Sequence, residues 1–419
     1  MKSFIERIQN YLTIKEKYIY FFLFILTFIL RTIYVIYTWE NSGTEKWADD
    51  WEYLFYGKSI AAGNFYPVYS EDRPHFIVGP LIPIFIALFN LIFGDTYWPF
   101  FIYNVFVSSI SIVFLFWIGK ILLNKYLGAF ISLWGILYID YYKYLPHILK
   151  EPTICFLIIL LIYLILKYYN KQNIYYLLLC GIVFILLIHT DERYIFLIPF
   201  LIVIPFLRVN KFVFNRNSLI SVAMLVGLIL LLMIPWTLRN YKAYNEIVIL
   251  SPRTTAFTSK IWGTNISSLA FEGEEGQIKH KERYLENSLK QGKKYGITPR
   301  LYNKTESKIR AFVNYWQPTY FKPTYIQYGY RFQKWSLTHN LAGLLFYGIF
   351  LPFFILGAVR IFRERNIILI WLLSIPLVHS LLHAFMVWPL ERYRVPVNFI
   401  IILIAIYYLI EKMIIPRKI

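Results

Sequence analysis

The feature that most constrains this chain is a series of long, nearly uncharged apolar runs, each close to the roughly 20 residues that a helix needs to cross a bilayer. They begin near Tyr18, Tyr97, Leu127, Pro152, Ile174, Tyr194, Ser218, Leu341, Ile367 and Pro396. Hydrocarbon offers no partner to a backbone N–H or C=O, and a continuous helix satisfies both within one segment. The runs therefore predict an all-α integral membrane protein with about ten transmembrane helices. Composition agrees, because 58% hydrophobic and 16% charged residues over 419 positions exceed what a soluble core of that length calls for. A shorter apolar run at 81–93 follows prolines and reads as a helix lying along the membrane surface. The first sixteen residues are too polar for a cleaved signal sequence, so the first span is expected to stay as an anchor.

A net charge of +19 on a soluble domain would suggest a nucleic-acid partner. Here the basic residues fall in alternate short loops, as expected of loops facing an anionic cytoplasmic leaflet, and no nucleic acid is expected. With the N-terminus inside, the inner loops carry Lys120 and Lys125, Lys167 and Lys171, Arg208 with Lys211 and Arg216, Arg360 with Arg363 and Arg365, and Lys412 with Arg417 and Lys418. The outer segments are then 39–96, 144–151, 189–193, 239–340 and 383–394. This divides the chain into an N-terminal transmembrane region, 1–238, that includes the first outer loop at 39–96; a large extracytoplasmic loop, 239–340; and C-terminal helices, 341–419. Cys155 and Cys180 both lie in apolar runs, so neither a disulfide nor a zinc site is expected. A bias towards Ile, Lys, Asn and Tyr fits an AT-rich genome and the inner membrane of a bacterium, with any chemistry facing the periplasm or exterior.

Five polar motifs stand at the predicted outer ends of different spans: Asp49-Asp50, Lys150-Glu151, the run 189–193 (HTDER), the run 236–240 (WTLRN), and the run 391–394 (ERYR). Packing helices into a bundle would gather several of these ends around one cavity. Arg matches phosphate with its planar fork, while a carboxylate takes a proton from a hydroxyl, so Asp and Arg together suit a phosphorylated, hydroxylated substrate. Each motif also has a plainer reading. Cations at span ends snorkel to headgroups, Asp191-Glu192-Arg193 and Glu391-Arg392 can be local ion pairs, and Asp49-Asp50 can cap a helix. His379 and His383 share a helix face without a third ligand in the sequence, which favours a core role over a metal site. Arg31, inside the first span, needs a partner or a cavity.

Taken in order, the motifs resemble those of the GT-C glycosyltransferases, in the branch of the protein O-mannosyltransferases and lipid A aminoarabinose transferases (glycosyltransferase family 39-like). That branch has an acidic pair in its first outer loop followed by Tyr, small residues and Gly; Asp49, Asp50, Tyr53, Ala61, Ala62 and Gly63 are similar. A Pro-led surface helix ending in Gly resembles GPLIPIFIALFNLIFG, ending at Gly94. Glu151-Pro152 resembles the family's Glu-Pro span start, 235–240 (PWTLRN) its Pro-Trp-x-x-Arg-Asn signature, and 392–396 (RYRVP) its Arg-Tyr-x-x-Pro. The aminoarabinose transferases carry Lys before the surface-helix Pro where this chain has Gly79, with Arg73 or His75 left to supply a charge; the Gly-Pro form is closer to bacterial enzymes acting on lipopolysaccharide or other envelope glycans.

The resemblance implies transfer, with inversion, of a sugar from a polyprenyl-phosphate carrier to an envelope glycan, lipid or protein acceptor. It implies Asp49 as the base and Asp50 as its support or the holder of a divalent cation. Arg239, Arg392, Arg394, Arg193 and Lys150 are implied as phosphate-binding residues, and Tyr53, Glu151, Arg73 and His75 as substrate-binding residues. An envelope polysaccharide polymerase or ligase with a lipid-diphosphate donor and a lipid-linked glycan transporter are the rival readings. On the transferase reading, Asp49→Asn inserts normally into the membrane and loses transfer of labelled sugar; wild-type transfer by that variant removes Asp49 from the mechanism.

Overall fold

In the computed structural model the described residues are 16–42, 48–65, 68–70, 73–74, 79–208, 211–244, 247–251, 312–313, 315–318, 341–386 and 391–414. Within them the chain is a helical bundle whose strands are two short antiparallel ribbons, β1 (Val68–Ser70) with β2 (Arg73–Pro74), and β3 (Leu207–Arg208) with β4 (Lys211–Phe212). Helix α1 (Glu16–Ser42) precedes α2 (Ala48–Ala61) and α3 (Leu81–Phe93). Then come α4 (Trp98–Leu122), α5 (Lys125–Leu137), the single turn α6 (Asp140–Lys143), α7 (Glu151–Lys171) and α8 (Ile174–Thr190). A broken segment follows, made of a 3-10 helix (Glu192–Leu197), α9 (Ile198–Val203) and a second 3-10 turn (Ile204–Phe206). The long α10 (Arg216–Tyr244), α11 (Phe350–Glu364, entered through a π-turn at Leu344–Gly348), α12 (Ile367–Met386) and α13 (Glu391–Ile414) complete the bundle.

Among the described residues, six stretches are long and apolar enough to cross a membrane: Tyr18–Thr38, Trp98–Leu122, Glu151–Lys171, Arg216–Ala243, Leu341–Glu364 and Tyr393–Lys412. The other predicted spans are present as apolar segments of different form. Helix α5 has 13 residues and so rises only about 20 Å, because Asn124 accepts hydrogen bonds from the Tyr126 and Leu127 amides at 3.0 and 3.1 Å and starts the helix there. Helix α8 has 17 residues, begun in the same way by Asn173. The span expected from Tyr194 is broken, with Pro199 and Pro205 each opening a new turn, as a residue lacking an N–H does at a first helical turn. The run at 81–93 is a helix of 13 residues, too short to span.

Helices α7 and α13 are the axis of the bundle. Buried residues fill 78% and 83% of their apolar windows, against 22% for α1, 22% for α10 and 17% for Leu341–Glu364, whose exposed apolar faces suit lipid. Helix α7 packs against α4, α8 and α13, and α13 also packs against α5, α11 and α12. Close crossings use glycine, as in membrane bundles generally. A Cβ on Gly119 of α4 would lie 2.6 Å from the Gly128 amide nitrogen of α5, and one on Gly357 of α11 3.0 Å from the Ile404 carbonyl of α13. Cys155 and Cys180 are buried free thiols.

Arg31 is fully buried in α1. It donates to the Ser108 hydroxyl of α4 and, at 3.1 Å, to the Gly135 carbonyl of α5, with the Tyr142 ring 5.3 Å from its guanidinium. The sequence demanded a partner for this charge, and two helices supply it without a carboxylate. Replacing Gly119 by Leu forces α4 from α5 and is expected to cost about 1–3 kcal/mol, read as a lowered melting temperature in detergent. Gly227→Ala, with nothing within 4 Å of its Cβ, is the control and leaves the melting temperature the same or slightly raised.

Candidate active site

The acidic helix α2 turns Asp50 and Tyr53, one helical turn apart, into the protein; each is 2% exposed, while Trp51 between them is 54% exposed. Helix α3 holds it there, because Gly57 lets Ile86 and the Pro83 carbonyl come against the α2 backbone. Opposite Asp50 stands His147, its Nδ1 3.7 Å from Asp50 Oδ2, an ion-pair distance longer than a direct hydrogen bond. His147 belongs to an irregular stretch between α6 and α7. That stretch is fixed from α4 by Asn104, a fully buried side chain whose amide donates to the carbonyls of Leu145 (3.2 Å) and His147 (2.9 Å). Asp49 is the second residue of α2; its side chain and those of Arg73, Glu391 and Arg392 lie outside what the structure describes, and His75 lies wholly outside the described residues.

Three residues after His147, Lys150 leads into α7 and reaches Asp191, with Nζ 3.0 Å from Oδ2. Arg193 grips the same carboxylate with its planar fork, Nε donating to Oδ1 at 2.8 Å and Nη2 to Oδ2. Asp191 also accepts from the Arg193 amide at 3.1 Å, which starts the 3-10 turn. Burial by itself would push the Asp191 carboxyl up, but the charges of Arg193 and Lys150 overcome it and hold the group well below the usual carboxylate range. Likewise burial would lower Lys150, and Asp191, with a smaller contribution from Tyr53, raises it above the ordinary lysine range. Tyr53 and Lys150 thus face each other one turn along from Asp50 and His147, so acid and cations share one end of the bundle.

The other predicted residues join this end in different ways. Arg239, at the end of α10, donates from Nε (3.1 Å) and Nη2 (2.6 Å) to the Phe65 carbonyl and fastens the first loop to the bundle. Its signature neighbours do the same for the segment at 247–251: Trp236 Nε1 donates to the Leu250 carbonyl at 2.7 Å, and Asn240 to those of Val248 and Leu250 at 2.9 and 3.0 Å. Arg394 is buried and donates to the carbonyls of Tyr315 and Gln317, a short described piece of the large loop, while lying 3.9 Å over the Tyr347 ring. Arg193 lies 3.9 Å over the Tyr393 ring, which brings the 391–394 motif to the Asp191 cluster. His379 and His383 stack at 4.0 Å, and the Tyr315 hydroxyl meets His379 Nδ1 at 2.6 Å. These are core contacts; among the described residues no group of three potential metal ligands occurs.

Glu151 is 3% exposed and lines a cavity of about 10 Å³ with Ser108, Ser111, Asp140, Tyr141 and Cys155, room for about one water. Asp140 is paired with Lys143 at 2.5 Å. Gly79 explains the departure from a lysine at that position: a Cβ there would run into the His189 carbonyl and stand 2.9 Å from that of Thr190. Sequence reasoning missed His147 and Asn104. A lone His among tyrosines has no periodic signal, and a mid-span Asn, expensive in hydrocarbon without partners, was the clue available.

Compared with known proteins, residues 72–236 match the sequence model of the family described as dolichyl-phosphate-mannose-protein mannosyltransferase. The chain's fold is similar to that of the Archaeoglobus fulgidus oligosaccharyltransferase AglB in complex with an inhibitory peptide and a dolichol-phosphate. The TM-score is 0.55 at 14% identity, covering 97% of this chain and 53% of that one. It is also similar to the apo form of the oligosaccharyltransferase from the same organism, with a TM-score of 0.58 at 13% identity, covering 95% of this chain and 51% of that one. This chain therefore spans about half the length of these neighbours. No curated protein sequence matches it.

Asp191→Asn leaves Lys150 and Arg193 buried without their counter-charge and is expected to cost about 3–5 kcal/mol, measured by thermal unfolding in detergent. Because the folded state depresses the Asp191 pKa, the wild-type advantage is full above the unfolded carboxyl value of about 3.9 and disappears as pH falls below it. The gap between the two melting temperatures should therefore narrow below about pH 4.

Proposed function

This chain has the fold of the GT-C superfamily of membrane glycosyltransferases, and on that premise we propose that it transfers a sugar from a polyprenyl-phosphate carrier to a hydroxyl of an envelope glycan, lipid or protein, with inversion. The observation that carries the reading is the meeting, at one end of the bundle, of the Asp50 carboxylate and the Lys150–Asp191–Arg193 cluster. The alternation of basic and mixed-charge loops supports placing that end outside the cytoplasm. The matched mannosyltransferase family and the dolichol-phosphate in the AglB complex support a lipid-linked donor.

The chemistry follows from the charges. In a one-step inverting transfer the acceptor oxygen bonds to the anomeric carbon as the bond from that carbon to the phosphate oxygen breaks. The acidic pair takes the acceptor proton, Asp49 by the family resemblance and Asp50 by its position. Lys150 and Arg193 share the single charge of Asp191, so these three groups carry one net positive charge, with buried Glu192 also acting on Lys150. A phosphodiester donor brings one negative charge and its leaving group develops a second, so the attraction grows towards the transition state, where it accelerates the reaction. Arg392, next to Tyr393, extends this clamp. Tyr53 and Glu151 border the sugar, with Arg73 and His75 on the first loop. Arg239 and Arg394 complete the proposed phosphate grip, and each also holds main-chain carbonyls of an outer segment.

Reconstituted in vesicles, the chain should transfer label from a polyprenyl-phosphate monosaccharide and not from a polyprenyl-diphosphate oligosaccharide; the opposite preference would favour the ligase or polymerase. Asp50→Asn should lower kcat by a factor of about 10²–10⁴, the usual worth of a general base. Arg193→Met should lower it by a factor of about 10²–10³, as for removal of one anion-stabilising donor.

A further inference from the structure

The ion cluster at the end of α8 uses Asp191 and Arg193 and passes over the residue between them. Glu192 opens the 3-10 turn and is nine-tenths buried. Its carboxylate nevertheless makes no hydrogen bond or ion pair among the described residues, and neither of its oxygens is sealed from solvent. It stands in a crevice narrow enough to remove most of its water and open enough to admit a small polar group. Its charge acts on the Lys150 ammonium, which puts the crevice beside the proposed phosphate clamp. A carboxylate there is costly twice over. Burial strips its hydration without a replacement, and its negative charge weakens the attraction of Lys150 for a phosphate. The favourable dipole of one short turn offsets only part of this. Packing and clamp electrostatics would both be better served by a neutral side chain, so the acid is matched to a group that arrives with the substrate.

We propose that Glu192 is a specificity-determining residue that accepts a hydrogen bond from a ring hydroxyl of the donor sugar. This rests on the transferase reading and deepens it. A carboxylate only accepts hydrogen bonds, so its partner must have a hydrogen to give. In the donor, one oxygen separates the gripped phosphate from the anomeric carbon. A residue next to Arg193 and within the field of Lys150 therefore meets the donor ring, whereas the acceptor of an inverting transfer approaches from the opposite face. Lys150 meets Asp191 through a single carboxylate oxygen and has three N–H donors. Lys150 and Glu192 thus set a donor and an acceptor side by side, the complement of a hydroxyl, which both gives and takes a hydrogen bond. The substrate class that fits is a neutral, polyhydroxylated sugar. A uronic acid would bring a second carboxylate against Glu192.

The test uses the full-length chain in vesicles with labelled polyprenyl-phosphate hexoses. The hexose transferred fastest, its monodeoxy analogues and its uronic acid are each given to wild type, Glu192→Gln and Glu192→Ala. With wild type, one monodeoxy donor should lose about 10- to 100-fold in kcat/KM, the worth of one hydrogen bond to a charged group. Glu192→Ala should lose as much on the parent hexose and little more on that deoxy donor, because the two deletions remove the same interaction. Glu192→Gln keeps an acceptor oxygen and removes the like charge, so relative to the parent hexose it should use the uronic acid about tenfold better than wild type does. Losses that multiply for every monodeoxy donor, or a Glu192→Gln chain that rejects the uronic acid as strongly as wild type, overturn the assignment and leave the transferase reading standing. If Glu192→Ala does not fold, the Glu192→Gln comparison decides. A wild-type chain that transfers no hexose instead removes the parent reading, and the assignment falls with it.

Discussion

Much of this architecture depends on one buried carboxylate. Asp191 is completely withdrawn from solvent at the end of α8, and a lone ion there would be untenable. It is stable because two cations from different parts of the chain converge on it, one at the head of α7 and one in the turn that follows it. The pair-plus-one arrangement ties the head of α7 to the end of α8, starts the 3-10 turn that follows α8, and leaves these three groups one positive charge to spare. A site built on this carboxylate is preorganised, because its cations are already oriented before any substrate arrives.

Around that ion cluster the ends of the bundle are sewn together by backbone carbonyls rather than by side-chain pairs. Arg239 closes on the Phe65 carbonyl, Arg394 on those of Tyr315 and Gln317, and Asn104 on those of Leu145 and His147. Loops that emerge from a membrane bundle have few apolar contacts of their own, so long polar side chains from the helices supply their anchorage. Two of the residues expected to bind a phosphate, Arg239 and Arg394, also bind the protein's own main chain.

That distinction marks how far the sequence could be read. Each apolar run corresponds to an apolar helix or broken helical segment among the described residues, six of them long and apolar enough to cross a membrane, since burial in lipid leaves a long, simple signal. Their lengths were less legible: Asn124 and Asn173 start α5 and α8 by local capping, and Pro199 and Pro205 break the run after Arg193, effects that an average over twenty residues does not register. The five polar motifs were legible as a set, and contacts link Asp50, Lys150, Asp191, Arg239 and Tyr393 to a common end of the molecule. Which arginine does what was not legible. Arg193 and Arg394 have the same charge and a similar position at a helix end, and only the carboxylate beside one and the carbonyls beside the other tell them apart. Gly79 is the converse case: an apparent departure from a family pattern that close packing against His189 accounts for.

Arg31 has a consequence for how the protein is made. A central arginine burdens a newly inserted helix by about 2.5–3.5 kcal/mol, and its hydrogen-bond acceptors lie 77 and 104 residues further along the chain. While α1 is being delivered to the bilayer, neither acceptor has been synthesised. The first helix therefore remains an unsatisfied guest of the insertion machinery until α4 and α5 emerge, and the three settle as one unit, so the order of translation is written into a single guanidinium.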